Sequence, residues 1–280
     1  MNAIRFLKTL ALVVFAMASH ASVSAAPVTY WFSGVVDDFA NASNAAPAGV
    51  TVGTPFVGQI SYDPTDVWYA YTNSSDDGGF ASQYEYTNAA TFTFTLYIGG
   101  HTITNTALPG RSGLIGLENN VSERDYYYAE TSSALRMNGT NLVAAPNQSS
   151  MGLSLLDPNS TALNSTALPL AAPVLSQFEE GGYFVLSARN SNGTKELFYI
   201  GGPVTEIRTN EIVQLEFRRI NSSTDQLSWP LYANGYTLQA TTDVASPNWQ
   251  NVSTPVVNTA TERTVSVSTV GPQRFYRLKK

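Results

Sequence analysis

The sequence predicts an all-β protein: a large antiparallel β-sandwich, jelly-roll-like or related, followed by a small C-terminal β module. Three observations carry that expectation. Short runs in which apolar and polar residues alternate recur along the chain, as in Phe92-Thr93-Phe94-Thr95-Leu96-Tyr97-Ile98, the period of a strand packed on one face. Clusters of Asp, Asn, Ser, Gly and Pro separate these runs and mark turns. Segments with helical periodicity are scarce, which disfavours a parallel sheet built with crossover helices.

Before the first strand, Arg5 and Lys8 supply a basic start, Leu10 to Ala18 an apolar run, and Val23-Ser24-Ala25 a small-residue cleavage site. That is the layout of a secretory signal peptide over 1–25. The apolar run is shorter than the roughly twenty residues of a membrane span, and no second long apolar run follows. The mature chain is therefore expected to lack a transmembrane segment and to be secreted, extracellular or periplasmic.

The strands follow in order. Val28 to Val36 reads as the first, Asn41 to Gly49 as a loop of small residues, and Val52 to Asp63 as a second strand punctuated at its start by Gly53 and Pro55. Thr91 to Ile98 is a strand with strict alternation, and Gly99-Gly100 turns it into a partner strand from His101 to Thr106. In the rest of the larger domain, 26–209, Leu153 to Asp157, then Ala167 to Leu170 and Pro173 to Phe178, and finally Gly182 to Ala188 and Gly202 to Ile207 resemble the later strands, Pro-rich crossover and closing strands of secreted bacterial β-sandwich proteins. A hinge near Thr209-Asn210 opens the tail module, 210–280, in which Ile212, Leu215 and Phe217 read as the first strand. Alternation in Gly235 to Gln239 and Arg274 to Leu278 supplies further strands, placed to enclose Trp229 and Trp249.

Two resemblances rest on these residues. Ser33-Gly34-Val35 followed by Gly53-Thr54-Pro55-Phe56-Val57-Gly58-Gln59-Ile60-Ser61-Tyr62-Asp63 resembles the opening of secreted bacterial β-sandwich proteins of the PEP-CTERM-associated type. The sorting tail of that type, a Pro-Glu-Pro motif with an apolar helix and basic end, is missing from this sequence. Leu227-Ser228-Trp229-Pro230, Gly235-Tyr236-Thr237-Leu238-Gln239, Asn248-Trp249 and Phe275-Tyr276-Arg277-Leu278 are similar to a small LSWP, GYxLQ, NW, FYRL module that closes large secreted bacterial proteins. The resemblances imply a bacterial surface or extracellular protein and name no chemistry.

Composition excludes more than it assigns. There is no cysteine in the 280 residues, so disulfides, thiolate nucleophiles and thiolate metal sites are ruled out. The net charge of −6, about −8 once Arg5 and Lys8 leave with the signal peptide, argues against a nucleic-acid partner. His101 is the one histidine beyond the leader, so a histidine-based zinc site cannot be completed and a Ser-His-Asp triad would have to use that turn residue. The adjacent Glu179 and Glu180 would point to opposite faces of a strand, and Glu123, Asp125 and Glu130 read as a solvated loop or edge strand.

Two candidate binding chemistries remain. Asp63, Asp66, Asp76 and Asp77 lie in oxygen-rich turns, the hard-donor set that suits Ca²⁺, although Asp in a turn also serves its own backbone; otherwise no cofactor is expected. Trp68, Tyr69 and Tyr71, with Tyr126, Tyr127 and Tyr128, make two aromatic loops whose rings can stack on sugars, against an ordinary core or edge role for tyrosine. The leading expectation is a structural or interaction protein of the bacterial cell surface or matrix, with no catalysis. A carbohydrate-binding module that holds surface polysaccharide is the alternative, and a glycan-active enzyme comes third.

Overall fold

The computed structural model describes residues 26–76, 78–106, 112–131, 135–143, 148–231, 233, 235–245, 248–259 and 262–280. The segment 1–25, where a signal peptide is expected, and Asp77 therefore lie outside the described residues. No helix among the described residues is long and apolar enough to cross a membrane.

The larger part is built from β1 (Val28–Val35), β2 (Asp38–Ala40), β3 (Pro55–Tyr62), β4 (Tyr69–Ser74), β5 (Phe80–Tyr86), β6 (Phe92–Ile98) and β7 (His101–Asn105). It continues with β8 (Gly113–Val121), β9 (Arg124–Thr131), β10 (Leu135–Met137), β11 (Thr140–Asn141), β12 (Ser149–Asp157), β13 (Gly182–Arg189) and β14 (Glu196–Arg208). All fourteen belong to one sheet, in the order β11-β10-β7-β6-β3-β1-β14-β13-β12-β9-β8-β5-β4, with β2 added against β14. The neighbouring pairs are antiparallel.

The sandwich is this single sheet doubled over. β1 and β9 are separated by β14, β13 and β12, about 19 Å on a flat sheet at the usual strand spacing. Yet the hydroxyls of Tyr30 on β1 and Tyr127 on β9 meet at 2.6 Å in the core. Alternation explains which residues turn inward: Phe92, Phe94, Leu96 and Ile98 are buried while Thr93, Thr95 and Tyr97 are half-buried. Phe32 is the centre of the packing, with ring centroids at 5.8 Å to Phe94, 5.9 Å to Phe184 and 6.3 Å to Phe56. Gly58 makes room for it, since a Cβ there would sit 2.0 Å from the Phe32 ring.

The crossover between β12 and β13 lies over one end of this core and is held by tyrosine hydroxyls. Tyr62 Oη donates to the Pro169 carbonyl and Tyr84 Oη to that of Thr166, each at 2.8 Å. Burial pushes the Tyr62 hydroxyl well up from its ordinary value, so it remains a neutral donor.

The remaining strands are β15 (Glu216–Asn221), β16 (Thr224–Pro230), β17 (Thr237–Thr241), β18 (Gln250–Asn251), β19 (Val257–Asn258), β20 (Glu262–Ser268) and β21 (Phe275–Lys279). They pair only with one another, as β15-β16-β20-β19 and β18-β17-β21. Leu227, Trp229, Ala233, Leu238, Val265 and Val267 form their buried cluster. Trp249 is not enclosed beside Trp229; it is half-buried with the Arg277 guanidinium 4.2 Å above its ring. Ile212 does not belong to the first tail strand either. It is buried against Trp31 and Val57, with Tyr97 packed beside them, on the outer face of the large sheet, where the Trp31 and Tyr97 rings stack at 6.2 Å. Lys280 pairs with Glu211 at 3.1 Å, so the connector is fastened to the sheet on one side and to the chain end on the other.

Candidate functional site

The two aromatic segments are strands, and they share a face. Tyr69 and Tyr71 lie on the edge strand β4, and Tyr126 and Tyr128 on β9. Register carries one row across the outer surface from Tyr71 to Gln83 on β5, Gly116 on β8, Tyr128 on β9, Ser154 on β12 and Tyr183 on β13. Side chains directly opposite one another in antiparallel strands point to the same face, so the row is a continuous strip.

Rings gather at its β4 end and again at β9. Trp68 and Tyr69 approach at 6.1 Å between centroids and Tyr69 and Tyr71 at 5.8 Å, while Tyr126 and Tyr128 lie 5.3 Å apart. Trp68 is 64% exposed and Tyr69 51%, far more than a core role would allow. Gly116 matters between them, because a Cβ there would meet the Tyr128 ring at 2.0 Å; only a bare backbone lets that ring lie over the sheet. Gln83 Nε2 donates to Tyr128 Oη at 2.6 Å. Burial chiefly pushes the Tyr128 hydroxyl up to about 12, with Glu118, Glu130 and Tyr71 adding to the shift, so the group stays neutral at ordinary pH. Beside Tyr126 and Tyr128, a shallow groove of about 280 Å³ is floored by Gly152 and Ser154 and walled by Glu130 and Val185.

Tyr127 does not join this face. The strand period of two turns it inward, where it is 1% exposed and bonded to Tyr30. Tyr127 is therefore a core residue and not, as the sequence suggests, a ring available for stacking.

The three described aspartates, Asp63, Asp66 and Asp76, do not converge. Asp63 and Asp66 precede β4 and Asp76 follows it, so a strand of about 20 Å separates the two turns. Asp63 accepts from the Thr65 hydroxyl at 2.7 Å and the Thr65 N–H at 2.8 Å, which lowers its carboxyl from the ordinary value. It is engaged in its own turn. No group of three or more metal-ligating acids or histidines occurs among the described residues. His101 is likewise a connector: its Nε2–H donates to the Ala48 carbonyl at 2.9 Å, and its Nδ1 faces the Asn138 amide at 3.3 Å.

A pair of buried carboxylates went unseen in the sequence. β9 is an interior strand, not a solvated edge, and its Asp125 is in register with Asp157 of β12. Both are buried. Asp157 accepts from Thr161 N–H at 2.7 Å, Ala162 N–H at 2.9 Å, Asn159 N–H at 3.1 Å and the Thr161 hydroxyl at 2.9 Å. Asp125 accepts from Leu163 N–H at 2.6 Å and Asn120 N–H at 2.8 Å. The pair thus holds the start of the crossover by its own backbone. The signal was Asp157-Pro158-Asn159 at a strand end, which reads equally as an ordinary turn.

The bond from Thr161 N–H leads the group that lowers the Asp157 carboxyl from its ordinary value. A depressed folded-state value means that its stabilisation is complete above the unfolded carboxylate range and is lost as pH falls through the lower value, below about pH 4. The melting temperature should therefore drop steeply from pH 4 to 2, and Asp157→Asn should be less stable at pH 7 and respond less to acid. Parallel melting profiles for the two proteins would contradict this assignment.

No family model matches the chain, and no curated protein or solved structure matches it.

Proposed function

We propose that this is a secreted, non-catalytic glycan-binding protein of the bacterial cell surface or extracellular matrix, which holds polysaccharide on the outer face between β4 and β9. One observation carries the reading: two aromatic groups far apart in sequence, Trp68-Tyr69-Tyr71 and Tyr126-Tyr128, come to one face through the row Tyr71, Gln83, Gly116, Tyr128. Ring faces stack on the C–H faces of sugars, and Gln83, Ser154 and Glu130 supply amide, hydroxyl and carboxylate partners for sugar hydroxyls. The exposure of Trp68 and Tyr69 suits a polymer lying across an open strip better than a small molecule enclosed in a pocket. The signal-peptide pattern of 1–25 and the resemblance to secreted bacterial sandwiches support the location.

Affinity electrophoresis in a panel of neutral polysaccharides tests this directly. The protein should be retarded by at least one of them, and Trp68→Ala and Tyr128→Ala should each weaken that retention about tenfold, the equivalent of ~1.4 kcal/mol. Unimpeded migration in every gel would return the protein to a purely structural role.

A further inference from the structure

We infer that the tail module carries a second, independent site, a cleft that takes an acidic sugar through Arg274. Thr241 at the end of β17, Asn251 of β18, Ser268 at the end of β20, and Arg274 and Tyr276 at the start of β21 line a cleft between the two small sheets of about 460 Å³. That is within the range of ligand pockets, roughly 300–1,000 Å³.

Its chemistry is one-sided. Among the described residues no acidic side chain lines it, although the tail contains five acids. The two arginines of this segment have different tasks. Arg277 is committed to the fold: its guanidinium covers Trp249 at 4.2 Å and donates twice to Gln239 Oε1, at 3.0 and 3.1 Å. Gln239 Nε2 in turn donates to Asn251 Oδ1 at 3.0 Å, which orients the Asn251 amide and leaves its N–H₂ as a donor. Arg274 stands on the cleft wall instead, exposed.

A guanidinium binds a carboxylate through two parallel bonds. Hydroxyl and amide side chains around it, with the Tyr276 ring as one wall, complement a hydroxylated ring that bears one carboxylate, a uronic acid. Charge distribution assigns the polyanion to this end of the molecule. Residues 26–209 hold sixteen acids and six bases, whereas 210–280 hold five acids and seven bases. An acidic polymer is repelled by the sandwich and attracted by the tail.

Titration calorimetry of the full-length mature protein at low salt tests the cleft, with trigalacturonate, its methyl ester and inorganic phosphate as the probes. Trigalacturonate should bind. Arg274→Ala, checked for an unchanged melting curve, should weaken it at least tenfold, and Thr254→Trp, which fills the cleft without altering charge, should do the same. Lys280→Ala, which lies on the Glu211 ion pair, should leave it unchanged. Esterification should abolish binding. No binding of trigalacturonate, equal binding of ester or phosphate, or full affinity in either cleft variant would overturn the proposal. Because the aromatic face is tested with neutral polysaccharide and its own variants, the two results are separable.

Discussion

Tyr127→Ala is expected to destabilise the sandwich by about 3–5 kcal/mol, the range for truncating a buried aromatic side chain, while Tyr126→Ala, one residue away, should change stability by less than about 1 kcal/mol. The contrast follows from a strand that presents successive residues to opposite sides. Tyr127 is fully enclosed and its hydroxyl meets Tyr30 at 2.6 Å, so truncation opens a cavity and leaves the Tyr30 hydroxyl buried without a partner. Tyr126 is half-buried on the outer face and touches Tyr128. Denaturant unfolding of the two variants measures the difference, and equal losses would contradict the register of β9. Glycan binding should behave in the opposite sense, weakened by Tyr126→Ala and intact in whatever Tyr127→Ala protein remains folded.

Trp229→Ala should unfold the tail and leave the sandwich standing. Trp229 is 2% exposed and is the largest side chain in a buried cluster of six residues. Its loss costs about 3–5 kcal/mol, and a module of about seventy residues without disulfides rarely has that much stability to lose. The strands of the large sheet end at Arg208 and pair with no tail strand among the described residues, while Ile212 packs on Trp31 and Val57. The variant should therefore retain one cooperative transition and near-native sandwich fluorescence, while its tail becomes sensitive to protease beyond residue 209. A single collapse of the whole chain would reject the division into two folding units.

Most of the fold was legible where side-chain chemistry and burial agree. β6 is legible to within a residue because Phe92, Phe94, Leu96 and Ile98 alternate with Thr93, Thr95 and Tyr97, and the β7 hairpin follows from Gly99-Gly100. β4 and β9 read as loops because their letters conceal the period. Tyr126, Tyr127 and Tyr128 are identical residues on alternating faces, and the inward side of β9 is Asp125, Tyr127, Ala129 and Thr131, two of them polar, with Asp125 held by the Asn120 and Leu163 N–H groups and Thr131 donating to the Ser112 carbonyl. The convergence of Tyr69 and Tyr71 with Tyr126 and Tyr128 on one face depends on the pairing of β4 with β5, β5 with β8 and β8 with β9, which no local pattern encodes. The acidic turns failed for the same reason: closeness in sequence placed Asp63 and Asp76 at the two ends of one strand.

The most direct measurement is the ring-proton NMR spectrum of protein labelled in tyrosine and tryptophan, titrated with an oligosaccharide of whichever polysaccharide retards it. Trp68, Tyr69, Tyr71, Tyr126 and Tyr128 should shift together with one saturation curve, and the buried Tyr30 and Tyr127 should not. Shifts confined to other rings, or the absence of any shift across the panel, would contradict a glycan-binding face between β4 and β9.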